Sequence, residues 1–191
     1  MGEAQPLAPL QRAEYLDWEA QQAEKHEYLA GEVFAMVGVR REHAVVTLAL
    51  GSRLQQHLQA TRCQAFSADM KLFVAAADAY FYPDVMVTCD ERDHRAELAV
   101  EHPLLVIEVL SESTAAFDRG AKFAAYRKLG DLIEYLLVDI SARRLELYRR
   151  AGDHWKLFEA SAGDAALQLE SVDLELSVED VFADLDRLAA P

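Results

Sequence analysis

The sequence predicts an α/β domain with a mixed central sheet flanked by helices, preceded by an N-terminal helix and a hairpin. Three observations carry that expectation. Residues 104–110, Leu-Leu-Val-Ile-Glu-Val-Leu, are apolar on both faces of a strand, the mark of a central strand covered on both sides. Val46, Leu50, Leu54 and Leu58 recur every fourth residue, the spacing of a long amphipathic helix. The elements alternate as helix, hairpin, helix, strands, helix, strands, which is the order of a sheet with helices on its faces.

Taken in order, residues 10–23 read as a first helix with Tyr15, Leu16 and Trp18 as its bulky residues. Residues 27–29 and 33–37 then flank Ala30-Gly31, which suggests a hairpin with Gly at the tight position. The long helix covers residues 41–60. Short β-prone runs follow at 63–66, 70–74, 80–88 and 103–110. Ser111 to Thr114 offer N-cap residues for a helix over 115–129, and Gly130 ends it. Residues 133–140, 143–149 and 155–159 read as further strands, and 178–188 as a closing helix. Met36, Met70 and Met86 read as core filling. With no repeat, low-complexity tract or Gly/Ser/Pro linker, the expectation is one domain over residues 1–191.

Composition excludes several classes. No apolar run reaches the ~18 residues of a membrane span. Residues 1–6, Met-Gly-Glu-Ala-Gln-Pro, have neither the basic start nor the apolar stretch of a signal peptide, and Pro6 replaces the Ser or Thr that myristoylation needs. Cys63 and Cys89 form no CxxC pair, so they read as isolated thiols and a reducing cytoplasm is the default. The net charge of −14 opposes loose binding to nucleic acid. Nine carboxylates and one base between Leu157 and Pro191 carry −8 of it, however, so a local positive face remains possible on the rest. Its expected members beside Lys122 are some of Arg40, Arg41, Arg119 and Arg127.

Two carboxylates stand where strands want apolar groups. Glu108 interrupts the buried run, and Asp84 follows Pro83 within the aromatic and β-branched run 80–88. An unpaired buried charge costs several kcal/mol after relaxation, so something must compensate each. Backbone amides or an internal Arg would do so, and so would a shared cation. The 24 residues between them let the chain leave one strand and return on its neighbour. Two such carboxylates, with a backbone carbonyl near Val109, suit Mg²⁺, which takes about six oxygens and keeps several waters. Asp118, Lys122 and Tyr126 are each four apart and share a helix face, so Lys122 can reach over the strand ends with Asp118 as its i,i+4 partner. Metal, carboxylates and ammonium together suit phosphodiester hydrolysis.

The run Tyr82-Pro83-Asp84-Val85-Met86-Val87, residues 103–111 around Glu108, then Thr114, Asp118, Lys122, Tyr126 and Asp139 resemble the Uma-type restriction-endonuclease-like family of the PD-(D/E)xK nuclease superfamily. Upstream, residues 28–32 and His43 are similar to it too, so the likeness spans about residues 10–184. It implies a restriction-endonuclease-like fold and an Mg²⁺-dependent endonuclease, with Mn²⁺ able to substitute and DNA as substrate. Asp84 and Glu108 would be the metal carboxylates, Lys122 the catalytic lysine and Glu32 an additional acidic residue. The superfamily's lysine ordinarily stands two residues after the acid. Leu110 holds that position here, and Lys122 replaces it from the following helix.

Simpler readings stand beside these. Glu32, by spacing alone, is a solvated residue after a Gly turn; His43 is a capping or packing residue with a phosphate or metal-water contact as the alternative; Asp139 is a turn residue. A nuclease pocket is expected to have a rim more basic than the molecule. One surrounded by carboxylates would favour a non-catalytic nuclease-fold protein that binds a protein or nucleic-acid partner, and a closed pocket a hydrolase of small phosphoesters. A homodimer suits cutting of both DNA strands. Lys122→Met is expected to spare the fold while the carboxylates hold metal.

Overall fold

The computed structural model describes residues 10–36 and 38–189. Residues 1–6, on which the signal-peptide and myristoylation readings rest, lie outside the described residues, as does Val37 at the end of the expected hairpin. The chain begins with α1 (Arg12–Glu19), β1 (His26–Leu29) and β2 (Glu32–Ala35). Ala30 and Gly31 between the strands both take positive φ, 50° and 97°, as a two-residue hairpin turn matched to strand twist requires. Then come α2 (Arg41–His57), β3 (Gln64–Ser67), β4 (Lys71–Val74), β5 (Ala79–Phe81), β6 (Val85–Thr88), β7 (Ala99–Val100) and β8 (Pro103–Leu110). After α3 (Ala115–Phe117), a π-helical turn Asp118–Lys122 and α4 (Phe123–Tyr126), the chain forms β9 (Glu134–Asp139), β10 (Arg144–Ala151), β11 (His154–Ser161), β12 (Leu167–Leu169), β13 (Leu174–Leu176) and α5 (Val178–Ala189).

The central sheet is mixed and six-stranded, in the order β11-β10-β9-β8-β6-β3, with β8 and β9 parallel. Alternation along β8 decides what each face meets. Leu105, Ile107 and Val109 join Val46, Leu50 and Leu54 of α2 and Phe182 of α5 in one core, while Val106 and Leu110 join Leu72, Phe81, Tyr126 and Leu132 in another. Leu105 and Ile107 are fully buried, each stabilising the fold by roughly 1.5–3 kcal/mol. Glu108 has the parity of the second face.

That second face is covered by α4 and by a sheet the sequence did not separate, β2-β1-β5-β4-β7. The run 80–88, read as one strand, is divided: β5 belongs to the outer sheet and β6 to the central one. Pro83 has no N–H to give a ladder, so pairing breaks there and the chain crosses between sheets. Asp84 sits at that crossing, one residue before β6. One further expectation needs correction. The helix after β8 contains the π turn, where the ladder widens by one residue. The short hairpin β12-β13 lies outside the strands that the sequence pattern predicts.

Cys63 and Cys89 are disulfide-bonded, not isolated thiols. They flank the Gln64–Thr88 pair of β3 and β6, and antiparallel pairing brings them face to face. The default of a reducing compartment loses the support it drew from free cysteines. No helix among the described residues is long and apolar enough to cross a membrane.

Candidate active site

The crossing between the sheets gathers the polar groups that the cores exclude. Tyr82 anchors it from both ends: its amide donates to Glu27 Oε1 at 3.1 Å and its hydroxyl to Glu19 Oε1 at 2.9 Å. Asp84 follows. Val85 pairs with Ile107, so Asp84 falls opposite Glu108 on the neighbouring strand. The Val109 amide donates to Asp84 Oδ2 at 2.7 Å, and the Asp84 amide lies 3.4 Å from Glu108 Oε2. From the first turn of α2, His43 Nε2 stands 3.3 Å from Asp84 Oδ2. Burial opposes charge on this imidazole, but Asp84 and a backbone hydrogen bond to Val109 raise its pKa above the ordinary value. His43 is therefore part of this cluster as well as of the helix start.

The deeper half is built around Glu108 and Lys122, only 3% and 6% exposed. Glu108 Oε1 accepts from Lys122 Nζ at 3.1 Å and from the Tyr126 hydroxyl at 2.8 Å. Lys122 Nζ also meets Glu27 Oε1 at 2.9 Å and Asp118 Oδ1 at 3.5 Å. Three buried carboxylates thus share one ammonium. Burial works against the charge of Lys122, yet Glu108, Glu27 and Asp118 together hold its pKa well above that of a free lysine. For Glu108 burial wins over the pull of Lys122, and its pKa is well above the usual carboxylate range; Glu27 is raised for the same reason. These groups line a cavity of about 380 Å³, with Ser111, Ser113 and Thr114 of the loop after β8 and the aromatic rings of Phe34 and Phe117.

Residues 12–179 match Uma2, a family described as "putative restriction endonuclease". The chain belongs to the Uma2 family. It is 38% identical over 181 residues to the uncharacterized protein slr1290 of Synechocystis, covering 94% of this chain and 95% of that one. It is likewise 38% identical to the uncharacterized protein sll1609 of the same organism, covering 83% and 92%. In three dimensions it resembles the crystal structure of "a putative nuclease belonging to DUF820" from Anabaena variabilis. The TM-score is 0.78 at 20% identity, over 92% of this chain and 98% of that one. The shared architecture is the restriction-endonuclease-like fold.

Within this Uma2 chain the expected residues separate. Asp84, Glu108, Val109 and Lys122 come together in the cavity, with Asp118 as the i,i+4 partner of Lys122. Glu32 does not. It is exposed at the tip of the hairpin, and the acid that reaches Lys122 from that hairpin is Glu27. The register explains the exchange. Glu27 pairs with Phe34 and Leu29 with Glu32, so Glu32 looks to the same side as Glu27 but two residues further along, roughly 7 Å away. Tyr126, on the helix face of Lys122, is a site residue that the sequence reading left without a role. Its four-residue spacing from Lys122 was the signal for it.

The expected basic rim is not there. Of the cavity's outer residues Arg40 is basic, whereas Glu42, Glu112 and Asp139 are acidic. Arg40 lies 3.5 Å from Glu112. Arg119 lies 3.0 Å from Asp139 and 2.7 Å from Glu146, and Arg127 covers the Phe123 ring. Arg41 is exposed, outside the cavity lining and in no ion pair among the described residues. The rim is therefore mixed, neither a positive face nor an unbroken ring of carboxylates. Asp139, read as a turn residue, does cap its turn by accepting from the Ala142 amide and the Ser141 hydroxyl, and it also lines the cavity.

The donor set fits a hard cation. Among the described residues no three His, Cys, Asp or Glu side chains are arranged to hold a metal, so protein side chains supply at most two. Mg²⁺ commonly takes one or two carboxylates and completes its shell with water. Glu108 Oε2 has only the long 3.4 Å contact, and buried Asp118 Oδ1 has no hydrogen bond, only the 3.5 Å approach of Lys122.

Proposed function

We propose that this Uma2 protein hydrolyses phosphodiester bonds in DNA, with Mg²⁺, or Mn²⁺ in its place, held by Asp84, Glu108 and the Val109 carbonyl. The observation that carries the reading is the convergence of Asp84, Glu108 and Lys122, from three separate elements, on one cavity. A divalent ion held there would polarise the phosphate and lower the pKa of a bound water. The chain's own residues do the rest. The Val109 amide fixes one oxygen of Asp84. Tyr126 and Lys122 fix Oε1 of Glu108, leaving Oε2 turned to the Asp84 side. Lys122, kept charged by its three carboxylates, offsets charge building on the phosphate oxygens in the transition state. Glu27 holds that ammonium in place. Such an enzyme would meet DNA in the cytoplasm, and a homodimer belongs to this reading only if both strands of a duplex are cut.

The test is cleavage of DNA by the purified chain with Mg²⁺ or Mn²⁺, alongside calorimetric titration of Mn²⁺. We expect metal-dependent cleavage, and loss of both cleavage and Mn²⁺ binding in Asp84→Asn. Cleavage that survives in Asp84→Asn, or that ignores chelator, would sink the assignment. A second reading, a non-catalytic nuclease-fold protein that binds a partner, draws on the rim, where Arg40 and Arg119 are held by carboxylates. Mn²⁺ binding without turnover on single-stranded, duplex or small phosphodiester substrates would select it.

A further inference from the structure

The cavity has a second chemistry that the proposed hydrolysis leaves unused. Phe34, Ala35, Met36, Val39 and Phe117 line it beside the charged groups. The two rings lie 5.8 Å apart and tilted, and Val39 is 57% exposed. Each ring adjoins an acid of the cluster, since Phe34 pairs across the hairpin with Glu27 and Phe117 precedes Asp118. Phe34 stays partly exposed although neighbouring Val33 is 2% exposed, so its ring faces the cavity rather than the core.

We infer that this aromatic patch stacks an unpaired nucleobase next to the scissile phosphate, making single-stranded nucleic acid the substrate class. The inference rests on the phosphodiesterase reading and narrows it. Stacking on an aromatic face is open to every base, but only when that base has left its own helical stack. A duplex is held instead by cations that track its two phosphate backbones. Of the candidates for that task, Arg40 and Arg119 are held by Glu112, Asp139 and Glu146, and Arg41 and Arg127 do not line the cavity. The volume agrees: about 380 Å³ is near the lower end of small-ligand pockets, roughly 300–1,000 Å³, a space on the scale of one nucleotide. A single-stranded substrate also needs no second active site.

The test offers the wild-type chain, with Mn²⁺, a short oligodeoxynucleotide in three forms: single-stranded, annealed to its complement, and with its bases removed. Cleavage of the single strand should be at least about tenfold faster than of the other two. Phe34→Ala should raise KM for the single strand about tenfold while thermal unfolding stays unchanged, and Phe34→Trp should restore it. Equal cleavage of the duplex or of the abasic strand overturns the substrate assignment and leaves the hydrolase reading standing. No cleavage of any of the three overturns the hydrolase reading, and this inference falls with it.

Discussion

The Glu27 carboxylate stands 2.9 Å from the Lys122 ammonium and ties the first hairpin to the helical segment behind the central sheet. Through that contact Lys122 serves three buried acids at once, and its removal acts on the fold as well as on the chemistry.

Lys122→Met is therefore expected to destabilise the metal-free protein by about 3–5 kcal/mol near neutral pH, because Glu27, Glu108 and Asp118 lose their shared counter-charge. With metal bound, the fold is expected to be spared. Urea unfolding with and without Mn²⁺ measures the difference, and Mn²⁺ should recover much of it. The cleavage rate of the Mn²⁺-loaded variant should still fall by a factor of about 10² or more. Equal stability of the variant and wild type in the metal-free state would contradict the shared-charge account.

Glu27 and Glu32 give a paired comparison within one hairpin. Glu27→Gln removes a carboxylate from Lys122 and is expected to slow cleavage about tenfold to a hundredfold by letting the ammonium shift. Glu32→Gln, at an exposed position, should leave the rate unchanged and stability within about 0.5 kcal/mol. Should the two variants behave alike, the role assigned to Glu27 is wrong.

Stability should pass through a maximum in weak acid when no metal is present. The pKa values of Glu27 and Glu108 are raised by burial, so the folded state binds protons that the unfolded state has released, and stability falls as pH rises from about 4.5 through the folded values. Asp139 and Glu146 have lowered values. Asp139 is lowered by the Ala142 amide, Ser141 and Arg119, which outweigh its burial; Glu146 chiefly by its hydrogen bond to Arg119. Their contribution is complete above the unfolded carboxylate pKa and is lost as pH falls below about 4. Thermal unfolding of metal-free protein between pH 3 and pH 8 checks both limbs, and Glu27→Gln should flatten the upper one. A Tm rising steadily from pH 5 to pH 8 would refute it.

Reduction of the Cys63–Cys89 bond, which closes 26 residues of chain, should cost about 3 kcal/mol by releasing the unfolded state. The bond joins β3 to β6 at the edge of the central sheet, away from Lys122, so cleavage by the folded, reduced protein should be unchanged. Unfolding curves with and without reductant, paired with thiol titration, measure both effects. Two titratable thiols in the unreduced protein would disprove the bond.

Local pattern by itself determined much of this protein. The two-sided apolar run marked β8 as a buried strand, the four-residue spacing marked α2, and Ala30-Gly31 marked the hairpin. Asp84 and Glu108 were visible because charges are expensive where neighbours are apolar, and Asp118, Lys122 and Tyr126 because residues four apart share a helix face. Tertiary structure decided what no single segment carries: the division of residues 80–88 between two sheets, the choice of Glu27 over Glu32, the pairing of Cys63 with Cys89, and the use of Arg40 and Arg119 in ion pairs. The physical reason is common to all four. Periodicity reports which side of an element is buried, but the partner waiting on that side is set by the register between segments far apart in the chain, where a two-residue step along one hairpin moves a carboxylate out of reach of Lys122.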